Sequence, residues 1–308
     1  MRILFALLSL IVFVSSAAAN ITVEAVQMPV WLYRAGSKIP LSVAAELKDE
    51  DQIITGGNSR VLLKMADDSS VKLGENVIFK VGRTEKKNDL FTTSLDVLKG
   101  AFRYTTGVLG KIRKREVSVR VATVTIGIRG TDIWGRSEVD KDLVCLIEGE
   151  ISVQRGDEAP TEMKTPMSFY LAPKTPTPQP FDVNDPLAQY RLPPPKDQKP
   201  LPASIKSVSQ EQFAKWAAEV EIKPGQGAAR AGGKWKINLI SSANQDKTLS
   251  VYEQVRTNGY AAEIQTSVNN NKRLYTARLS GFPSKEEAQV LASKLKGQMG
   301  IIKPVISR

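Results

Sequence analysis

Two short runs near the end of the chain carry residue types suited to binding chemistry. Trp235-Lys236-Ile237-Asn238-Leu239-Ile240-Ser241 and Tyr275-Thr276-Ala277-Arg278-Leu279-Ser280 alternate apolar with hydrogen-bonding side chains. In an extended strand a period of two sends successive residues to opposite faces. Ile237, Leu239, Ala277 and Leu279 then point one way. Lys236, Asn238, Ile240, Thr276, Arg278 and Ser280 point the other. Lys236 and Arg278 suit pairing with carboxylates. Asn238, Ser241 and Thr276 suit hydrogen bonds to hydroxyl and amide groups, each worth about 0.5–1.5 kcal/mol net. Trp235 and Tyr275 either stack on a ligand or belong to the core.

Catalytic chemistry finds little support elsewhere. The chain has no histidine, which removes the commonest general base, metal ligand and nucleophile partner. Asp67-Asp68 and Asp49-Glu50-Asp51 sit beside turn-forming residues and read as solvated punctuation. There is no phosphate-cradling glycine loop on a strand-to-helix turn and no zinc-ligand cluster. A non-enzyme without catalytic residues, metal site or cofactor is expected. The single Cys145 lies in the apolar run Leu143 to Ile147 and reads as a small buried hydrophobe.

The elements that hold the two runs follow from pattern. From Gly233 to Arg308 the order reads strand, helix, strand, strand, helix, strand. Strands are expected over Trp235–Ile240, Tyr260–Thr266, Leu274–Leu279 and Ile301–Ile306, with a helix over Asp246–Asn258. Ser284 caps a second helix whose buried face is Ala288, Leu291, Ala292 and Leu295. This predicts a small α+β domain, an antiparallel βαββαβ sheet with both helices on one face. The net charge of +11 concentrates here, with 12 basic against 5 acidic residues, whereas Lys38 to Glu158 holds 20 against 19. A basic module suits an anionic partner.

The rest of the chain divides by composition. Arg2, the apolar run Ile3 to Val14 and Ser15-Ser16-Ala17-Ala18-Ala19 have the layout of a cleavable secretory signal peptide over 1–19. The run is too short to span a bilayer, so no stable membrane anchor is expected. Residues 20–158 are rich in β-branched runs separated by turns, which predicts an all-β roll, sandwich or solenoid-like stack. Twelve of the 17 prolines lie between Pro160 and Pro202, marking 159–232 as a linker, semi-rigid at first and flexible over Gly225–Gly233. Inside it, Phe213, Trp216, Ala217 and Val220 share one face of a short amphipathic helix over 209–221. That face either packs back onto the N-terminal domain or docks another protein. Lys111-Ile112-Arg113-Lys114-Arg115 is either a solvated loop or an anionic-surface contact. Gly130 suits a backbone conformation closed to other residues, and Arg129 either braces the fold through hydrogen bonds to backbone or to Asp132 or belongs to a ligand site.

Two resemblances add to this reading. Thr55-Gly56-Gly57-Asn58-Ser59-Arg60-Val61, Val121-Ala122-Thr123-Val124-Thr125-Ile126-Gly127-Ile128-Arg129-Gly130-Thr131-Asp132 and Leu146-Ile147-Glu148-Gly149-Glu150 resemble the FecR-type domain, over about 36–156. Trp235 to Ser241 and Tyr275 to Phe282, followed by Ser284-Lys285-Glu286-Glu287-Ala288, resemble the two halves of the SPOR (sporulation-related repeat) domain, over 233–308. The SPOR resemblance implies binding of peptidoglycan glycan strands lacking stem peptides, at division septa. It carries over to Asn238, Ile240 and Arg278, the last at the family's recurrent basic position, and together with the outward polar residues Lys236, Ser241, Thr276 and Ser280 these make the expected glycan-binding set. Asn238 stands where that family often has Gln, and Ile240 where it often has Gly. The expectation is an exported periplasmic adaptor in a Gram-negative-type envelope. Its FecR-like domain or its 209–221 helix would meet envelope or divisome proteins. Alternatives are a ligand sensor acting through the FecR-like domain, and a nucleic-acid binder using the basic sheet. The export signal argues against nucleic acid.

Overall fold

The computed structural model describes residues 21–87, 89–107, 114–174, 201–269 and 272–308. The signal-like segment, most of the Lys111–Arg115 run, the bulk of the proline-rich stretch and Asn270–Asn271 lie outside the described residues.

Residues 21–174 form two sheets that share one core. The first sheet runs, neighbour by neighbour, through Ser168–Pro173, Lys141–Glu148, Asp132–Ser137, the far half of Leu90–Thr105, Ser70–Leu73, Arg60–Lys64 and Ile21–Gln27. The second runs through Ile151–Arg155, Val124–Ile128, Lys114–Val121, the near half of Leu90–Thr105, Ile78–Lys87, Gln52–Thr55 and Val30–Arg34. The long strand Leu90–Thr105 therefore belongs to both. It changes sheets near Gly100, whose φ is +87°. A Cβ there would stand 2.7 Å from Val77 Cγ2 and 2.9 Å from its Cα, so only glycine turns this corner. The crossing also allows Lys114–Val121 to pair parallel to Leu90–Val97, while its other neighbour is antiparallel.

Alternation fills the core. Val117, Val119 and Val121 are buried, while Ser118 is half-buried and Arg120 exposed. They meet Ile53, Phe79 and Val97 of their own sheet and Val61, Leu63, Phe102 and Tyr104 of the other. Full burial of side chains of this size contributes about 1.5–3 kcal/mol each. Cys145 is buried beside Trp134, as its apolar neighbours imply.

Two of the turn carboxylates correct the reading of solvated punctuation, whereas Asp49, Glu50 and Asp68 are exposed as expected. Asp67 has no exposure and accepts from Arg115 Nε at 2.8 Å, Ser69 N at 3.0 Å and Ser69 Oγ at 2.7 Å. Asp51 is equally enclosed and accepts from Arg34 Nε at 2.8 Å and Lys48 N at 2.7 Å. Each closes a turn and neutralises an arginine from a distant segment. Gly130 is left-handed as expected, at φ +77°. Arg129 does not brace Asp132: it is exposed, and Arg103 holds Asp132 through Nε at 2.9 Å and Nη2 at 2.6 Å. Arg103 and Asp132 lie on adjacent antiparallel strands, which local sequence does not reveal.

Described segments of the linker expected over 159–232 are built into these sheets. Thr161–Met163 pairs with Ile151–Arg155, and Ser204–Ser207 pairs with Ser168–Pro173. Leu171 lies opposite Ser204. The strands on either side of the proline-rich stretch are thus neighbours in one sheet. The helix is Gln210–Val220, capped by Ser209 Oγ, which accepts from Gln212 N at 3.2 Å. Its apolar face packs back: Trp216 lies flat on Trp134 at 4.7 Å, with Phe169 edge-on at 5.5 Å. Arg136 Nη1 reaches Glu219 at 2.9 Å. The face is covered by its own sheet, so the docking alternative is corrected.

The stretch Gly225–Gly233 is likewise no loose hinge. Glu287, buried at the start of the last helix, accepts from Gly225 N and Gly227 N at 2.6 Å each and from Ala228 N at 3.1 Å. Ala229–Arg230 then pairs with Ala25 and Val26 of the first strand.

The C-terminal module has the expected order and architecture. Its sheet order is Glu263–Asn269, Lys272–Phe282, Trp235–Ser242, Val305–Ser307, all antiparallel. Helices Gln245–Thr257 and Lys285–Leu295 pack on one face, burying Val251, Val255, Ala288, Leu291, Ala292 and Leu295 against Ile237, Leu239 and Leu279. Ser284 Oγ caps the second helix, accepting from Glu287 N at 3.3 Å. The last strand is shorter than expected: Ile301 is buried, but pairing starts only after Pro304, which has no N–H to give.

The module docks on the N-terminal sheets. Val30 N donates to Gly259 O at 3.0 Å, and Trp31 Nε1 to Thr257 O at 3.2 Å. Gly259, at φ +84°, approaches the Trp31 ring so closely that a Cβ would stand 2.7 Å from it. One apolar cluster continues from the N-terminal core through Ala229 into the module.

Candidate functional site

The two runs that open the chemistry lie side by side. Register places Lys236 opposite Ser280, Asn238 opposite Arg278 and Ser241 opposite Thr276. Directly opposed residues of an antiparallel pair share a face. The face turned from the helices therefore carries Lys236, Asn238 and Ser241 beside Thr276, Arg278 and Ser280. Ile237, Leu239, Ala277 and Leu279 are buried beneath the helices, as the pleat implies.

Ile240 is the exception. A bulge between Asn238 and Ile240 admits one extra residue, so Ile240 stands opposite Ala277 and packs against the core. The same slip turns Ser241 outward, where its Oγ meets Thr276 Oγ1 at 2.9 Å. A bulge shifts every following residue to the other face, and strict alternation could not foresee it. Trp235 resolves as a core contact, and Tyr275 lies on the helix-side row with Ala277, with its carbonyl accepting from Thr248 Oγ1 at 3.3 Å.

The neighbouring strand supplies two residues missing from the expected set. Glu263 lies opposite Arg278, and Gln265 opposite Thr276. Arg278 Nε donates to Glu263 Oε1 at 2.8 Å, and Arg278 Nη1 donates to Gln265 Oε1. Ser280 Oγ donates to the same Glu263 oxygen at 2.6 Å. Arg278 is thus a held guanidinium, not a free cation. Its fork is oriented by Glu263 and Gln265, with Asn238 beside it. Asn238 Nδ2 is 3.4 Å from Ser307 Oγ of the edge strand. Lys236 makes no ion pair among the described residues. The face is a hydrogen-bonding strip with a modest positive balance, suited to a neutral or weakly anionic polyhydroxylated chain.

The Ser280 hydroxyl, assisted by Arg278, holds the Glu263 carboxyl below the usual carboxylate range, against the opposing effect of partial burial. A depressed folded pKa adds stability above the unfolded value, and that stability is lost as pH falls through the folded value. Half of the Glu263 side chain is exposed, so screening keeps the contribution small. Ser280→Ala is expected to move the Glu263 titration midpoint upward, read by carbon-detected NMR of its carboxyl. An unchanged midpoint would contradict the assigned cause.

No group of three or more potential metal-binding side chains occurs among the described residues. No helix among them is long and apolar enough to cross a membrane.

Comparison with known proteins agrees with the order of the parts. Residues 51–152 match the family model described as FecR protein, and residues 231–308 match the SPOR domain model. No curated protein matches the chain. Two crystal structures of a candidate anti-sigma factor from Parabacteroides distasonis are similar at 12% identity each. One has a TM-score of 0.37 and covers 54% of this chain; the chain spans 64% of that structure's own length. The other has a TM-score of 0.38, with 79% and 89% covered. Overlap that loose carries no argument about activity. The chain carries a FecR region followed by a C-terminal SPOR domain, and the polar strip is the outer sheet face of that SPOR domain.

Proposed function

We propose that this protein is an exported, periplasmic adaptor that binds peptidoglycan glycan strands through the outer sheet face of its SPOR domain. The SPOR match points to peptidoglycan and the FecR match to envelope signalling, and neither matched family is catalytic. The observation that carries the reading is the strip itself. Lys236, Asn238, Ser241, Thr276, Arg278 and Ser280 share one face that neither helix of the module covers. Sugar hydroxyls and acetamido groups match its serine, threonine and amide groups, and lactyl carboxylates match Arg278 and Lys236. Ile240 belongs to the core and leaves the glycan-binding set. The FecR region makes the contacts to envelope or divisome proteins, and the septum is the place of action.

The test is co-sedimentation of the full chain with purified peptidoglycan sacculi. The full chain is used because Glu287 and Trp31 tie the module to the rest of the molecule. The native protein is expected in the pellet. Arg278→Glu, which sets a second carboxylate against Glu263, is expected to reduce retention at least about tenfold, a loss of about 1.4 kcal/mol. Equal retention of the two would overturn the site. Fluorescent fusions test the location: septal signal should require the SPOR domain and vanish in a chain ending at Gly232.

A further inference from the structure

The polar strip does not stop at the edge of the SPOR sheet. Glu263 and Ser280, its last two members, also line a cleft of about 300 Å³ between the two parts of the chain. The far wall is Leu41 to Ala44 of the N-terminal region, with the segment Ala229–Gly233 alongside. A Cβ on Gly281 would stand 2.8 Å from Val43 Cγ2, so the wall abuts the sheet directly. Across Arg230–Gly233 lies a second hollow of about 330 Å³, at the same end of the sheet, where Trp235 begins the central strand.

Charge distinguishes this second hollow. Arg230, Lys234 and Arg308 line it, and no acidic side chain does. Among the described residues none of the three makes an ion pair or a side-chain hydrogen bond. Arginines elsewhere, such as Arg34, Arg103, Arg115 and Arg278, are held by carboxylates. The carboxylate of Glu263 lies in the first cleft and is engaged by Ser280 and Arg278. Arg230 and Lys234, two cations with no anionic side chain against them, make this concave surface attractive to an anion. The surface is also preformed, because Arg230 is pinned by the pairing of its backbone with Ala25.

We propose that the junction between the FecR region and the SPOR domain is a second subsite, in which Arg230 and Lys234 bind a carboxylate of the sugar chain lying on the strip. The inference rests on the glycan reading above. It adds that the N-terminal region, through the strand that holds Arg230 and the wall at Val43, completes the binding site. A carboxylate-bearing amino sugar is the class of unit that fits, since the chain continues from a hydrogen-bonding strip into a basic pocket. The lactyl group of muramic residues supplies such a carboxylate.

The experiment uses the full chain and two soluble probes. One is glycan chains from sacculi with stem peptides removed. The other is the same chains with their carboxylates converted to amides. The native protein is expected to bind the carboxylate form about tenfold more tightly. Arg230→Ala/Lys234→Ala is expected to bind the carboxylate form several-fold more weakly and to lose most of the preference, the remainder belonging to Arg278 and Lys236, while still binding the amide form as the native protein does. That last arm shows that the variant is folded and its strip intact. A native protein that binds both probes equally overturns the junction subsite and leaves the glycan reading standing. A double variant that keeps the preference undiminished overturns it as well. A native protein that binds neither probe removes the glycan reading, and this inference with it.

Discussion

Trp216→Ala is expected to destabilise the protein by about 3–5 kcal/mol, the range for deleting a large buried aromatic. Trp216 is 7% exposed and lies parallel to Trp134, with an interplanar angle of 3°. Trp134 has no exposure at all. Truncation removes the lid from that ring and leaves Phe169 without its edge-on partner. The helix that carries Trp216 has only 11 residues. Helices shorter than about 12–15 residues are marginal in water, so this one depends on its packed face. Two measurements check the outcome. Urea unfolding should give a lower midpoint with a similar slope. The Cys145 thiol, buried and pushed up to about 12 by desolvation, should react faster with a thiol reagent once the helix loosens. A variant as stable as the native protein, with Cys145 equally protected, would contradict the packing described for this helix.

Asp67→Ala is expected to cost a similar amount, about 3–5 kcal/mol, by a different cause. The carboxylate has no exposure, and Arg115 is only 16% exposed. Removing the acid strands a guanidinium in a low-dielectric site. It also frees Ser69 N and Ser69 Oγ, which Asp67 accepts. Tyr104 shares the network: its hydroxyl donates to Ser69 Oγ at 3.1 Å, and burial pushes its pKa up to about 12. Replacing both partners removes the uncompensated charge, so Asp67→Ala/Arg115→Met should recover a large part of the loss. Thermal and urea unfolding of the single and double variants decide this. A double variant no more stable than the single one would show that the cost lies elsewhere than in the stranded arginine.

The two halves of the molecule differ in how much of their structure can be read locally. In the SPOR domain the period of two correctly assigned Ile237, Ala277 and Leu279 to the helix side, and Lys236, Thr276 and Arg278 to the outer face. Ser209 and Ser284 were recognisable as caps because capping is a contact over three residues. Gly130 announced its left-handed backbone by its type. What could not be read is what depends on distant partners. Asp67 meets Arg115 across 48 residues, and Arg278 meets Glu263 across 15. Neither pairing leaves a trace in hydrophobic periodicity. The bulge at Leu239 is a property of two strands together, so the strand alone pointed Ile240 outward.

Proline and glycine content marked 159–232 as connection, because those residues break regular structure. Yet Thr161–Met163, Ser168–Pro173 and Ser204–Ser207 complete N-terminal sheets, and Gly225–Ala228 wrap a buried carboxylate. Composition reports what a segment cannot do alone. The neighbouring Ile151–Arg155 strand and Glu287 decide what it does in the fold.

The central claim is that glycan lies on the outer face of the SPOR sheet. Amide chemical-shift mapping of the full chain, titrated with glycan chains free of stem peptides, tests it most directly. We expect saturable shifts centred on Lys236, Asn238, Ser241, Thr276, Arg278, Ser280 and their neighbour Gln265, extending to Arg230 and Lys234 at the junction, with Val251, Val255 and Leu291 on the helical side unmoved. Shifts centred on the helices, or none at concentrations that saturate sacculus binding, would contradict it.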